Sequence, residues 1–234
     1  MNVRRLLRFR KGESIPVGEV SFGDLRRLVP LSKEFGYDRG QPVDRYYIER
    51  FLESHSEDIR GRVLEIADDT YTRRFGGGRI ASSDVLHVTE RGPGITIVGD
   101  LSGADTLPEA AFDCIILTQT MQVIYDLRSA LASVNRSLRP RGVVLATVPG
   151  ISPVSRYDMD RWGYYWSFTT QSARRLFEES FEAELIRVES HGNVLAATAF
   201  LYGMSSQELQ EGELDHLDED YQLIVTIRAV KSAN

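Results

Sequence analysis

The chain has 234 residues, a formal net charge of −6 at pH 7 and one cysteine. This length suits one large α/β domain with a sizeable core. The acidic balance argues against nucleic acid as the main partner, since neutralising phosphates needs a basic face. Near the C-terminus the longest apolar stretch, 194–204, is shorter than the roughly 20 residues of a membrane span. We therefore expect a soluble cytoplasmic protein without disulfides.

The first 40 residues carry seven glycines and prolines and predict an irregular N-terminal extension, 1–40, ahead of a domain over 41–234. The extension begins with a basic cluster that could contact anionic lipid or a partner chain, although its composition favours a solvated first helix or a frayed terminus. The cluster consists of Arg4, Arg5, Arg8, Arg10 and Lys11. A helix over 44–54 follows Pro42.

From Arg62 onward, apolar runs alternate with helical stretches, which predicts a doubly wound α/β sheet of seven mostly parallel strands. The predicted strands cover 62–66, 79–84, 95–100, 112–118, 143–148, 183–188 and 222–230. Helices over 127–138 and 170–179 lie between the later strands. The last strand follows closely on a strand–helix pair, so we expect it to be antiparallel and near the sheet edge.

Polar residues close, or nearly close, the first four predicted strands: Glu65, Asp84, Asp100 and the pair Thr118-Gln119. In an open α/β sheet, ligands bind in the crevice outside the carboxyl ends of the strands. These side chains should therefore share one cleft. Their order suits a nucleoside, with one acid for ribose hydroxyls and a second for an adenine amino group.

The stretch from Phe112 to Asp126, continued through the turn 138–142 into the next strand, resembles the S-adenosylmethionine-dependent methyltransferase superfamily with the Rossmann-like fold. In small-molecule members of that superfamily a similar "LKPGG" turn leads into the fifth strand. The resemblance covers residues 60–150. Two shorter runs, 40–49 and 68–72, resemble bacterial methyltransferase domains found with glycosyltransferases, which implies a role in polysaccharide biosynthesis and association with a glycosyltransferase.

The resemblance implies S-adenosylmethionine as cofactor and assigns each strand end a role. Glu65 and the turn after it would lie against the methionine part, Asp84 would accept hydrogen bonds from both ribose hydroxyls, and Asp100 would receive the adenine amino group. The implied cofactor-binding residues are Glu65, Ala67, Asp68, Asp84, Asp100, Leu101, Thr118 and Gln119.

The first loop departs from the family pattern of an acid followed by a glycine-rich turn. Glycine lets the backbone approach a ligand or adopt positive φ, whereas here Ala67 adds a methyl group and Asp68 and Asp69 add charge. A sulfonium cation tolerates nearby acids, but a dinucleotide pyrophosphate does not. The loop therefore argues against a nicotinamide-dependent oxidoreductase more strongly than against a methyltransferase.

Two residues are candidates for a general base that assists methyl transfer to a hydroxyl. His191 follows the sixth strand, and we expect its loop to face the cleft, although a histidine packed at the sheet edge fits as well. Asp158 lies in the loop after the fifth strand, where acceptor-binding residues are expected.

Aromatic side chains beside carboxylates suit a sugar, whose C–H faces stack while its hydroxyls form hydrogen bonds. A lid or an oligomer contact explains the same aromatics equally well. The candidate substrate-binding residues are Tyr46, Arg161, Trp162 and Trp166. Simple packing of its helix is the alternative for Tyr46.

The sequence thus predicts a methyltransferase that uses S-adenosylmethionine and acts on a hydroxyl of a small-molecule, sugar or glycan acceptor. The alternative is a catalytically inactive methyltransferase fold that serves as a partner-binding subunit. The four histidines have no metal-ligand spacing, so we expect no metal site.

Overall fold

In a computed structural model of the protein, residues 15–90, 92 and 94–233 are described. The basic cluster of Arg4, Arg5, Arg8, Arg10 and Lys11 lies outside the described residues, so the hypotheses about it stay predictions. No helix within the described ranges is long and apolar enough to cross a membrane.

Seven strands form one sheet within the described part of the chain, as predicted. They are β1 (Gly61–Ile66), β2 (Ile80–His87), β3 (Ile97–Val98), β4 (Phe112–Thr118), β5 (Leu138–Pro149), β6 (Ile186–His191) and β7 (Ile224–Val230). Their order is β3-β2-β1-β4-β5-β7-β6. Strands β1 to β5 pair in parallel, and β7 runs antiparallel to both β5 and β6. The predicted fold class is confirmed.

In the described ranges, six α-helices lie between or beside these strands. They are α1 (Val43–Ser54), α2 (Leu127–Ser137), α3 (Arg156–Arg161), α4 (Thr170–Glu178), α5 (Val194–Leu201) and α6 (Glu211–Asp215). The Asp126 side chain accepts from the backbone N–H of Ser129 at the start of α2. Thr169 and Ser172 form a capping box that begins α4. These caps satisfy backbone donors that the first turn of a helix leaves free.

The core lies on both faces of the sheet, because successive residues of a strand point to opposite sides. On β4, Ile115 belongs to the core beneath α2 and α4, whereas Cys114 and Ile116 belong to the core beneath α1 and α5. All three side chains are fully buried. Burying an aliphatic side chain of this size stabilises the fold by about 1.5–3 kcal/mol.

Residues near the end of the predicted extension contact the rest of the domain. The backbone N–H groups of Leu31 and Ser32 donate to the Tyr202 carbonyl at 2.8 and 3.3 Å. Arg39 forms an ion pair with Glu208. The division of the chain at residue 40 stays a prediction.

Candidate functional site

Two adjoining cavities open at the carboxyl ends of β1, β2 and β4. The β2 cavity, of about 480 Å³, reaches from β1 past the ends of β2 and β3. The α1 cavity, of about 560 Å³, lies between β1, the start of α1 and α3. Both cavities are lined by Ile66, Ala67, Thr118, Gln119 and Asp158. We call this shared region the junction.

The first loop keeps a left-handed turn although it lacks glycine. Ala67 has φ +72°, in the region that glycine usually occupies. Its N–H donates to the Leu86 carbonyl at 3.0 Å, which fixes the loop against β2. Asp68 accepts from the Thr70 N–H at 2.9 Å, and Asp69 pairs with Arg73 at 2.7 Å. The added charges are therefore held by neighbours in the loop itself.

Glu65 organises this loop from beneath. Its side chain is buried and accepts from the Tyr71 N–H at 3.2 Å and from the N–H and hydroxyl of Thr72, both at 2.7 Å. Burial raises the pKa of Glu65 to about 7, although the bonds from Thr72 oppose the shift. The carboxyl group thus ties the end of β1 to the turn that follows and also lines the α1 cavity.

Asp84 does not end its strand, and that prediction is wrong. The strand β2 continues to His87 because residues 84–86 stay paired with β1. Asp84 accepts from Arg62 Nε at 2.7 Å and from Thr96 Oγ1 at 2.9 Å, and it lines neither cavity. At the true end of β2, His87 faces the β2 cavity. The carboxylate expected at the ribose is therefore engaged within the sheet.

Asp100 lies in the β2 cavity, as the strand-end pattern predicts. Its Oδ1 accepts from the N–H and hydroxyl of Ser102 at 2.8 and 2.7 Å. Within the described residues, no hydrogen bond is made to its Oδ2. The buried Leu101 follows it and lines the same cavity. Asp100 thus presents one carboxylate oxygen beside an apolar wall.

Asp158 occupies the junction. It stands in the first turn of α3, which is capped by the Ser155 side chain. The side chain is half-buried, and its carboxylate has no hydrogen-bond or ion-pair partner among the described residues. Thr118 and Gln119 line the opposite side of the junction from the end of β4. An unengaged carboxylate is thus placed where the two cavities meet.

The aromatic segment after β5 divides between the site and its surroundings. Trp162 lines the β2 cavity and packs edge-on against His87, with ring centroids 6.0 Å apart. Arg161 lines neither cavity, and its guanidinium carbon Cζ lies 3.6 Å from the centroid of the Tyr157 ring. Trp166 also lines neither and donates from Nε1 to the Ile124 carbonyl at 2.9 Å. Of the three residues predicted in this segment to bind substrate, only Trp162 lines one of the two adjoining cavities.

His191 faces a third cavity, and the expectation that its loop opens onto the same cleft is wrong. This β6 cavity, of about 940 Å³, shares no lining residue with the other two. His191 Nε2 lies 3.0 Å from Thr226 Oγ1, and burial lowers the pKa of the imidazole. The strand β7 inserts between β5 and β6 and so moves His191 away from the junction.

Tyr46 faces the β6 cavity as well, where its hydroxyl donates to Asp215 at 2.7 Å. Its neighbours Asp44 and Arg45 line the α1 cavity instead. Arg45 Nε donates to the Tyr37 hydroxyl at 2.8 Å. Successive helix positions point about 100° apart, so residues 44 and 46 lie on different sides of α1.

Two buried acceptors of the α1 cavity are not among the residues predicted from the sequence. Asp44 is 7% exposed and Gln122 is 4% exposed, and both line this cavity. Asp44 Oδ1 and Gln122 Oε1 are buried without a hydrogen-bond partner among the described residues. A polar residue in the first turn of a helix, as at Asp44, was the available signal. Gln122 lies in a short 3₁₀ turn that carried none.

Comparison with known proteins supports the fold and the family. A family profile described as "Methyltransferase domain" matches residues 61–146. Comparison with curated protein sequences gives no significant match.

Among solved structures, a SAM-dependent methyltransferase from Archaeoglobus fulgidus is similar, with a TM-score of 0.53, 13% identity, and coverage of 80% of this chain and 94% of that one. An S-adenosylmethionine-dependent methyltransferase from Mesorhizobium loti has a TM-score of 0.52, 15% identity, and coverage of 84% and 100%. The N-methyltransferase NodS from Bradyrhizobium japonicum, in complex with S-adenosylhomocysteine, has a TM-score of 0.50, 14% identity, and coverage of 82% and 89%. At these identities the likeness is one of fold. Together with the profile match over residues 61–146, it supports the S-adenosylmethionine-dependent methyltransferase superfamily.

Proposed function

We propose that this protein binds S-adenosylmethionine in the β2 cavity and the junction, and transfers its methyl group to a hydroxyl of a sugar or glycan acceptor in the α1 cavity. The observation that carries the proposal is the junction itself. There the free carboxylate of Asp158 lies between two cavities, each large enough for one reactant.

The residues of the β2 cavity fit the nucleoside of this cofactor. Asp100 Oδ2 can accept from an adenine amino group, and Leu101 supplies an apolar surface for the ring. The positive φ of Ala67 keeps the backbone turn at the junction without glycine. The Asp68 carboxylate on the other side of the turn suits a sulfonium cation better than a phosphate. The altered first loop is thus compatible with the family's cofactor.

When bound, the cofactor supplies a methyl group on a sulfonium, which moves to the acceptor oxygen as its carbon–sulfur bond breaks and leaves S-adenosylhomocysteine. The residues at the junction orient the acceptor for this in-line displacement, and alignment provides much of the acceleration. Asp158 accepts the hydroxyl proton as the new carbon–oxygen bond forms. His191 has no part in this step because it lies in another cavity.

The composition of the α1 cavity supports a polyhydroxylated acceptor. Its lining includes several carboxylates, which accept hydrogen bonds, together with the aromatic rings of Tyr157 and Tyr164. Tyr157 is 61% exposed at the rim. A sugar can place its hydroxyls toward the acids and a C–H face against a ring. A glycan acceptor also agrees with the implied association with glycosyltransferases.

Isothermal titration calorimetry with S-adenosylmethionine and S-adenosylhomocysteine tests cofactor binding. We expect micromolar affinity that falls about 10- to 100-fold in Asp100→Ala, because a hydrogen bond to a charged group is lost. Asp105→Ala, a matched charge change on the same exposed loop, should bind normally. Asp84→Ala should also bind, since Asp84 lies outside both cavities.

The absence of binding at millimolar cofactor would contradict the proposal and favour the inactive, partner-binding alternative. Binding with methyl transfer only to amines would retain the cofactor site and reject the hydroxyl acceptor. NodS, an N-methyltransferase of similar fold, makes amines the natural comparison in the acceptor screen.

A further inference from the structure

The α1 cavity contains two buried side-chain oxygens that accept from no donor among the described residues. Asp44 Oδ1 and Gln122 Oε1 come from separate elements, one from the start of α1 and the other from the turn after β4. A buried acceptor left without a donor costs about 1–3 kcal/mol. Two such groups on one cavity indicate that something with donor groups fills it.

Some of the surrounding side chains that could satisfy these oxygens are engaged elsewhere. The Gln122 amide already donates from Nε2 to the Gln119 carbonyl at 2.7 Å, so its Oε1 is the end that remains available. Arg45, the nearest cation in sequence to Asp44, donates from Nε to Tyr37. Glu49 pairs with Arg74 at 2.8 Å. Asp44 Oδ1 and Gln122 Oε1 are therefore open to a hydrogen-bond donor from a ligand.

The two oxygens lie on the acceptor side of the junction. Both line the α1 cavity and neither lines the β2 cavity, whereas Asp158 lines both. Asp44, Gln122 and Asp158 thus line one cavity, so a ligand that fills it can contact all three.

We propose that Asp44 and Gln122 are specificity-determining residues that accept hydrogen bonds from two hydroxyl groups of a sugar acceptor, while a third hydroxyl of that sugar faces Asp158. This inference rests on the proposed function and assigns the acceptor's chemical class. A sugar ring carries several hydroxyl donors on one rigid frame, which suits acceptors fixed on separate elements. Sites built around buried hydrogen bonds discriminate strongly against analogues that lack the matching hydroxyl.

The test uses the full chain, radiolabelled S-adenosylmethionine, and a panel of methyl hexopyranosides with their monodeoxy derivatives. The variants are Asp44→Asn and Gln122→Met, which keep side-chain size and remove a charge or an acceptor. Ser137→Ala is the matched control, because Ser137 Oγ is also buried and unpartnered within the described residues but lines none of the cavities.

We expect KM for the accepted sugar to rise about 10- to 100-fold in each variant, with the cofactor Kd unchanged within about twofold. The wild type should reject two monodeoxy sugars, and each variant should lose its preference against one of them. Ser137→Ala should match the wild type. If one variant fails to fold, the other still gives a deoxy-sugar readout that general destabilisation does not produce.

Three results would overturn the inference. An unchanged sugar KM in both variants means that water alone satisfies the two oxygens. A weakened cofactor Kd in Asp44→Asn with an unchanged sugar KM assigns Asp44 to the cofactor. Cofactor binding without methylation of any sugar in the panel rejects the acceptor class and leaves the cofactor site standing. Absence of cofactor binding is distinguishable from all three, since it defeats the proposed function first.

Discussion

The α1 cavity and the β6 cavity differ in how their polar groups are satisfied. The β6 cavity is larger, at about 940 Å³ against about 560 Å³. Its polar groups largely bond to one another: Tyr47 donates to the Leu214 carbonyl at 2.9 Å, and Arg50 pairs with Asp215 at 3.3 Å. None of the buried unpartnered oxygens in the described structure lines it.

The α1 cavity, the smaller of the two, leaves polar groups without partners. Two of the buried unpartnered oxygens line it, and the Asp158 carboxylate, which has no partner among residues 15–90, 92 and 94–233, stands at its junction with the β2 cavity. Protein interiors rarely leave buried polar groups unpaired, and each exception needs an explanation. Under the proposed function, unmet hydrogen-bonding capacity therefore marks the ligand site better than volume does. Substitutions of Asp158 and His191 test this contrast directly.

Asp158→Asn should give the largest effect, a fall in kcat of about 10²- to 10⁴-fold with little change in cofactor affinity. The amide keeps the shape of the side chain but cannot take the hydroxyl proton. Single-turnover methyl transfer to the accepted sugar measures the effect, and calorimetry checks cofactor binding.

His191→Gln, in the larger cavity, is the matched control and should keep kcat within about threefold. If His191→Gln lost activity while Asp158→Asn kept it, the two cavities would exchange roles. The assignment of the reaction to the junction rather than to the β6 cavity would then be wrong.

The pH dependence of stability should report the buried Glu65. Its pKa is raised to about 7, so between about 4.5 and 7 the native state holds a proton that the unfolded chain has released. The free energy of unfolding therefore falls as pH rises through this window. Over the full window the contribution amounts to about 3 kcal/mol.

Glu65→Gln removes this titration, so its free energy of unfolding should fall less between pH 4.5 and 7 than that of the wild type. Urea unfolding at pH 5, 6, 7 and 8 measures the difference. Glu184→Gln, at an exposed position, should follow the wild-type curve. Parallel curves for wild type and Glu65→Gln would show that the carboxyl titrates normally. The loop bonds to Thr72 would then cancel the effect of burial on the pKa.

The fold could be predicted because its signals are local. Apolar runs and glycine or proline breaks located all seven strands, and the ends of β1 and β4 fell where Glu65 and Thr118 indicated. Asp84 failed because residues 81–84 are polar or small, so the apolar run seemed to stop while the backbone pairing continued.

The site depended on information that the sequence does not display. The insertion of β7 between β5 and β6 sets the distance of His191 from the junction, and strand order is a long-range property. Asp44, Arg45 and Tyr46 are adjacent in sequence, and helix phase alone separates the α1 cavity from the β6 cavity. A small error in the predicted helix phase therefore assigns a residue of α1 to the wrong cavity.

Ala67→Gly should give the smallest effect of these substitutions. It tests whether the turn at the junction is strained. A residue with a Cβ atom at φ +72° carries about 1–2 kcal/mol of strain, which glycine would relieve. Glycine also gives the unfolded chain more freedom, which offsets about 0.4–1 kcal/mol. We expect net stabilisation of up to about 1 kcal/mol, seen as a rise in Tm of about 2–4 °C.

Ala104→Gly, in an exposed loop without positive φ, should instead lower Tm. Cofactor affinity in Ala67→Gly should hold or improve, because the turn is already in the conformation that glycine favours. A fall in both Tm and affinity would mean that the alanine methyl group packs usefully at the junction, so that this loop is adapted to alanine rather than strained by it.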